Sequence, residues 1–121
     1  MTLPRIFLVE DDEILTKTTE WRVRKLGYDF LGKAASGEEA LALIATLHPN
    51  VILMDINIHG EMDGIAVADI VKKQFGIPVI FLTANIETET IARARETNPK
   101  GYIAKPFDDK DLRVAIELAV Q

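Results

Sequence analysis

The chain has 121 residues, 48% of them apolar, which suits one domain, spanning residues 1–121, with a single core. It has no cysteine, which excludes a disulfide framework, and its net charge of −5 with scattered basic residues argues against nucleic-acid binding. No apolar run approaches the length of a membrane span and no signal peptide is recognisable, so we expect a cytoplasmic protein that makes no membrane contact.

Strand-like and helix-like segments alternate along the chain. The predicted elements are strand 6–9, helix 13–26, strand 28–33, a helix from a cap at 36 to 47, strand 51–54, helix 65–76, strand 79–82, helix 87–96, strand 101–104 and a helix capped at 108. Three of the strands are continuously apolar, which is typical of parallel strands buried on both faces. The sequence therefore predicts an α/β fold of five β–α units.

Several helix ends are marked by residues that satisfy free backbone groups. Ser36 and Glu39 form a predicted capping box, with Ser36 at the N-cap and Glu39 reaching back to it. Gly76 suits the left-handed residue that ends a helix, and Asp108 suits the N-cap of the last helix.

Polar residues follow four of the predicted strands. They are Glu10, Asp11 and Asp12 after the first strand, Asp55 after the third, Thr83 after the fourth and Lys105 after the fifth. Because the carboxyl ends of parallel strands meet at one edge of a sheet, we expect these side chains to share a crevice. Asp11 or Asp12 also suits the cap of the first helix, but three acids in a row exceed what capping needs.

Closely placed carboxylates repel one another unless a cation neutralises them, and Mg²⁺ prefers such oxygen ligands. We expect Asp11 and Asp55 to bind Mg²⁺ directly, with the backbone carbonyl of Asn57, and Glu10 to act through water. A carboxylate in such a site can also attack phosphorus and form an aspartyl phosphate. Lys105 and the Thr83 hydroxyl would then stabilise the phosphoryl oxygens.

The combination of motifs resembles the receiver domain of two-component response regulators, including the single-domain regulators of chemotaxis. The motifs are Phe7-Leu8-Val9-Glu10-Asp11-Asp12, Met54-Asp55-Ile56, Met62-Asp63-Gly64, Pro78-Val79-Ile80-Phe81-Leu82-Thr83-Ala84 and Gly101-Tyr102-Ile103-Ala104-Lys105-Pro106-Phe107. The resemblance implies a flavodoxin-like, doubly wound fold with a five-stranded parallel sheet of order 2-1-3-4-5. It also implies a cis bond between Lys105 and Pro106.

The resemblance further implies that a histidine kinase or phosphotransfer protein phosphorylates the chain, which then controls an output domain or a target protein. In this interpretation Asp55 accepts the phosphoryl group, Thr83 and Tyr102 act as the switch, and Lys105 binds phosphate. Catalysis is limited to the chain's own phosphotransfer and self-dephosphorylation, so it is not classed as an enzyme. The residues two positions beyond Asp55 and Thr83, Asn57 and Asn85, would tune the dephosphorylation rate.

Two positions depart from the family pattern. His59 occupies the place of a common proline four residues after Asp55, and the segment from Asn57 to Met62 is one residue longer than usual. We expect the His59 ring to be solvated. Lys100 and Gly101 replace the paired aspartates of one dimer-forming subfamily, so that form of dimer is not expected.

Other interpretations remain for single residues and for the whole chain. Tyr102 suits a packing aromatic as well as a moving switch, and Arg93 with Arg95 suits a solvated helix face. A phosphohydrolase of the haloacid dehalogenase type would need an aspartate where Asn57 stands. A pseudo-receiver that acts purely by interaction is disfavoured, because each chemical position is filled.

Overall fold

The computed structural model describes residues 3–84 and 87–120. The strands are β1 (Arg5–Val9), β2 (Asp29–Ala34), β3 (Val51–Asp55), β4 (Val79–Thr83) and β5 (Gly101–Ala104). The helices are α1 (Glu13–Lys25), α2 (Gly37–Leu47), α3 (Gly64–Phe75), α4 (Thr88–Glu96) and α5 (Asp109–Ala119). Strands and helices alternate throughout, as the apolar runs and helical spacing predict.

The five strands form one parallel sheet of order β2-β1-β3-β4-β5. The predicted fold class and strand order are therefore confirmed. The β1–β2 register shifts between Ile6 and Phe7, an irregularity that the sequence did not indicate. Within the described ranges no helix is long and apolar enough to cross a membrane.

Side chains that alternate along the strands build one apolar layer on each face of the sheet. On one face Phe7, Ile52 and Phe81 pack with residues of α2, α3 and α4, whereas on the other Leu8 and Leu53 pack with residues of α1 and α5. The three central strands are almost wholly buried, which explains their continuous apolar runs.

The predicted helix caps are present, with one difference. The Ser36 side chain accepts from the Glu39 N–H, and Asp108 forms a reciprocal capping box with Asp111. Glu39, however, accepts from the N–H of Ala35 at 2.7 Å rather than from Ser36, so the predicted box at α2 is displaced by one residue. Gly76 ends α3 with a φ of 65°, a left-handed conformation that glycine adopts without strain.

Gly64 allows the start of α3 to lie against the end of β3. Its N–H donates to Ile56 O at 2.7 Å, and a Cβ built on it would lie 2.0 Å from Asp55 O. This separation leaves no room for a side chain. The residue that opens α3 therefore fixes how closely that helix approaches the strand end at Asp55.

Gly64→Ala is expected to lower the free energy of unfolding by about 1–3 kcal/mol, because the added methyl group forces the helix away from β3. Urea unfolding measures the change. Gly32→Ala is the matched control, since its Cβ would meet its nearest atoms at ordinary distances of 3.4 Å and more. Equal stability of Gly64→Ala and Gly32→Ala would contradict this account of the packing.

Candidate functional site

The structure brings five of the predicted site residues to the carboxyl edge of the sheet. Glu10 and Asp11 follow β1, Asp55 ends β3, Thr83 ends β4 and Lys105 follows β5. Because β1, β3, β4 and β5 are consecutive neighbours in the sheet, residues far apart in sequence become adjacent. Glu10, Asp55 and Thr83 are buried at this edge.

Three carboxylates form the centre of the site. One oxygen from each of Glu10, Asp11 and Asp55 lies within 4.8 Å of the others. Lys105 Nζ lies between two of them, 2.9 Å from Glu10 Oε1 and 3.3 Å from Asp55 Oδ2. A single ammonium thus faces a cluster of three carboxyl groups, a donor set that also suits a hard divalent cation.

Burial and like charge together disfavour ionisation of Asp55. Burial, then a hydrogen bond with Glu10 and repulsion from it, raise the pKa of Asp55 from 3.8 to about 7. Lys105 and the N–H of Asn57 oppose that shift. Burial also disfavours the charged Lys105, but hydrogen bonds and attraction to Glu10 and Asp55 outweigh it and raise the pKa of Lys105.

The backbone after β3 supports the Asp55 carboxylate. The N–H of Asn57 donates to Asp55 Oδ1 at 3.2 Å, and the Asn57 side chain is exposed at the rim. Asn85, the second residue predicted to tune dephosphorylation, lies outside the described residues. The structure therefore places the backbone of Asn57 beside the buried carboxylate.

Asp12 has a different role from Glu10 and Asp11. Its side chain accepts from the N–H groups of Ile14 and Leu15 at 2.9 and 3.0 Å and so caps α1. The capping alternative was correct for this residue, whereas Glu10 and Asp11 face the carboxylate cluster.

Sequence reasoning missed the contact between His59 and Asp11. The N–H of His59 donates to Asp11 Oδ2 at 2.9 Å, and the ring Nδ1 contacts the same oxygen. The ring is 90% exposed, as expected, yet it has a partner in the cluster. The extra residue between Asn57 and Met62 was the one signal in the sequence that this loop takes its own path.

Arg93 is exposed, as expected for a solvated helix face, but it also forms an ion pair that the sequence did not predict. Its guanidinium lies 3.1 Å from Asp63 Oδ2 and joins α4 to the start of α3. Asp63 simultaneously caps α3 by accepting from the N–H of Ala66. A contact across 30 positions of sequence cannot be read from the spacing within one helix.

Tyr102 is an exposed residue of the edge strand β5. Its ring is 39% exposed and packs edge-to-face on Phe81, with centroids 6.2 Å apart. Phe81 and Thr83 lie on the same strand, so Tyr102 connects through one buried ring to the strand that ends in Thr83. The Lys105–Pro106 bond is cis, as the resemblance implies.

The raised pKa of Asp55 predicts a pH-dependent stability in a chelating, metal-free buffer. A carboxyl whose folded pKa is above its unfolded value stabilises the fold fully below the unfolded value, and this contribution is lost as the pH rises through the folded value. For Asp55 the window runs from 3.8 to about 7, so Tm should fall as the pH rises across it. Thermal melts across that window measure the slope.

Asp55→Asn cannot ionise and should flatten this slope, and it should be more stable than the wild type above the window. Asp29→Asn is the control, because Asp29 is exposed at the opposite edge of the sheet, where β2 begins. A slope that Asp55→Asn leaves unchanged would show that other groups cause it.

Comparisons with known proteins identify the family to which the chain belongs. The sequence model of one protein family, the response regulator receiver domain, matches residues 6–117. The transcriptional regulatory protein PdtaR of Mycobacterium tuberculosis is 33% identical over 116 residues, which are 96% of this chain and 56% of that protein. The regulatory protein AtoC of Escherichia coli is 35% identical over 97% of this chain and 25% of its own length. The chain thus spans about half or less of these regulators.

Solved receiver domains have the same fold. The signal receiver domain of a modulated diguanylate cyclase from Desulfovibrio desulfuricans superposes with a TM-score of 0.93 at 37% identity, covering 98% of this chain and 94% of that one. A CheY-like receiver domain protein from Methanospirillum hungatei gives a TM-score of 0.86 at 27% identity, with coverages of 96% and 92%. The chain therefore belongs to the receiver domains of two-component response regulators.

Proposed function

We propose that residues 1–121 form one receiver domain that takes a phosphoryl group onto Asp55 and transmits its presence through a change of conformation. The observation that carries this proposal is the buried Asp55 carboxylate, which lies 3.3 Å from Lys105 Nζ and within 4.8 Å of Glu10 and Asp11 oxygens. Attack of a carboxylate on phosphorus is favoured by cations that neutralise the phosphoryl oxygens, and Lys105 is one such cation beside Asp55.

The donor set fits Mg²⁺. Glu10, Asp11 and Asp55 offer oxygen atoms only, and Lys105 balances one of their three charges. Bound there, Mg²⁺ would neutralise the remaining carboxylate charge and the charge on a phosphoryl oxygen. Asp11 and Asp55 would hold the ion directly and Glu10 through water, with the Asn57 carbonyl as a further ligand.

The transfer step is a displacement at phosphorus. An Asp55 carboxylate oxygen forms the new bond, the bond from phosphorus to the donor's imidazole nitrogen breaks, and the imidazole leaves with the electron pair and takes up a proton. Lys105, 17% exposed, stays close enough to Asp55 to contact a phosphoryl oxygen, and the Thr83 hydroxyl can donate to another.

The acyl phosphate is lost when water attacks it in line. Asn57 and Asn85 are neutral amides that orient water but cannot remove its proton, so we propose slow to moderate self-dephosphorylation. This reaction acts on the chain's own phosphate, and the domain turns over no separate substrate.

Movement of Thr83 toward the phosphate supplies the switch. This movement alters the end of β4. Phe81 on β4 packs against Tyr102, so the change reaches the face formed by α4, β5 and α5. A two-state element of this kind shifts by no more than the difference in phosphate affinity between its states, typically about 1–3 kcal/mol.

The partners follow from this chemistry. A histidine kinase or a phosphotransfer protein supplies the phosphoryl group, and an output domain or a separate target reads the altered face. The relatives are named as regulators and are longer than this chain, which supports an output activity outside the matched region.

Acetyl phosphate with Mg²⁺ is expected to add one acid-labile phosphoryl group to the wild type, as intact-mass spectrometry would measure. Asp55→Asn should remove the modification because an amide is a poor nucleophile toward phosphorus. Asp29→Asn, on the opposite edge of the sheet, should be phosphorylated like the wild type. Modification that persists in Asp55→Asn would assign the reaction to another carboxylate, and no modification in the wild type would favour a pure interaction module.

Thr83→Ala is expected to accept phosphate at Asp55 but not to transmit it, because it lacks the hydroxyl that contacts the phosphoryl group. The measurement is the amide shift response near Tyr102 and Ile91 on adding beryllofluoride. Thr19→Ala is the control, since Thr19 is also a buried threonine but lies on α1. A full response in Thr83→Ala would mean that the signal leaves the site by another route.

A further inference from the structure

The loop after β3 holds a histidine against Asp11, at one side of the acidic cluster. The His59 N–H donates to Asp11 Oδ2 at 2.9 Å, and its ring Nδ1 contacts the same oxygen. The backbone of His59 also forms an isolated parallel bridge with Ser36, just beyond β2. The backbone of His59 is therefore positioned by contacts with two segments, at Asp11 and at Ser36.

The next residue turns the chain away from the cluster. Gly60 has a φ of 110°, and a Cβ there would lie 3.4 Å from Glu38 Oε2. A left-handed conformation of this kind is open to glycine and strained for other residues. The longer loop and Gly60 together let His59 face Asp11 while the chain continues toward Met62.

We propose that His59 supplies a nitrogen donor to the divalent-ion site, so that the site favours ions with affinity for imidazole, such as Zn²⁺, more than its three carboxylates would. The inference rests on the ion proposed above for Glu10, Asp11 and Asp55. Carboxylate oxygens suit Mg²⁺, whereas imidazole nitrogen suits Zn²⁺ and Ni²⁺.

The geometry supports a direct role in binding. Two ligand atoms of one ion lie in contact with each other, and His59 Nδ1 already contacts an oxygen of Asp11. The ring is 90% exposed, so its rotation toward an ion on Asp11 meets little steric resistance. If His59 only positioned Asp11, its loss would weaken all ions that Asp11 binds to a similar degree.

Calorimetric titration of the unphosphorylated chain with MgCl₂ and with ZnCl₂ separates these roles. In His59→Gln, Zn²⁺ affinity should fall by roughly tenfold or more while Mg²⁺ affinity changes by less than about twofold. His48→Asn is the matched control, because His48 is the other of the two histidines, and its φ of 50° is a conformation that asparagine tolerates. This variant should bind both ions like the wild type.

The ¹⁵N resonance of the His59 Nδ1 gives a second measurement, because direct coordination must shift it. It should move when Zn²⁺ is added to the wild type and be absent from His59→Gln. An unmoved resonance, an unchanged Zn²⁺ affinity, or equal losses for both ions would overturn the inference while leaving the Mg²⁺ site intact. Failure of the wild type to bind either ion would overturn both this inference and the proposed metal site.

Discussion

Repulsion among Glu10, Asp11 and Asp55 is the constraint on which the rest of the site depends. Three carboxyl groups within 4.8 Å, two of them buried, are costly unless positive charge balances them. Lys105 balances part of that negative charge. Removal of Lys105, or of a carboxylate that it contacts, would leave the remaining buried charge uncompensated. The excess negative charge therefore favours the binding of a further cation at this edge of the sheet.

The parallel sheet makes that costly arrangement possible. Apolar layers on both faces hold the strands, so the strand ends at the carboxyl edge have little freedom to move apart. Gly64 adds a second restraint, because α3 starts in direct contact with the Asp55 carbonyl. The stability of the apolar interior thus offsets the electrostatic cost at the edge.

Much of this arrangement was predictable from residue types and spacing. Continuous apolar runs identify strands buried on both faces, and the residues that follow those runs must meet at one edge, which accounts for Glu10, Asp55, Thr83 and Lys105. The unpredicted contacts lie in loops or between helices. The His59–Asp11 and Arg93–Asp63 pairs depend on how the chain folds back in three dimensions, a property that local periodicity does not encode.

The sharing of Asp63 by two helices has a consequence for how α4 and α3 respond to each other. One carboxylate caps α3 through the Ala66 N–H and binds Arg93 of α4, so a displacement of α4 that separates the pair removes the positive charge of Arg93 from the carboxylate at the positive end of the α3 dipole. α3 begins where the backbone leaves Asp55, at Gly64. A displacement of α4 would therefore reach the residue at which α3 meets β3 through an ion pair that includes neither Thr83 nor Tyr102.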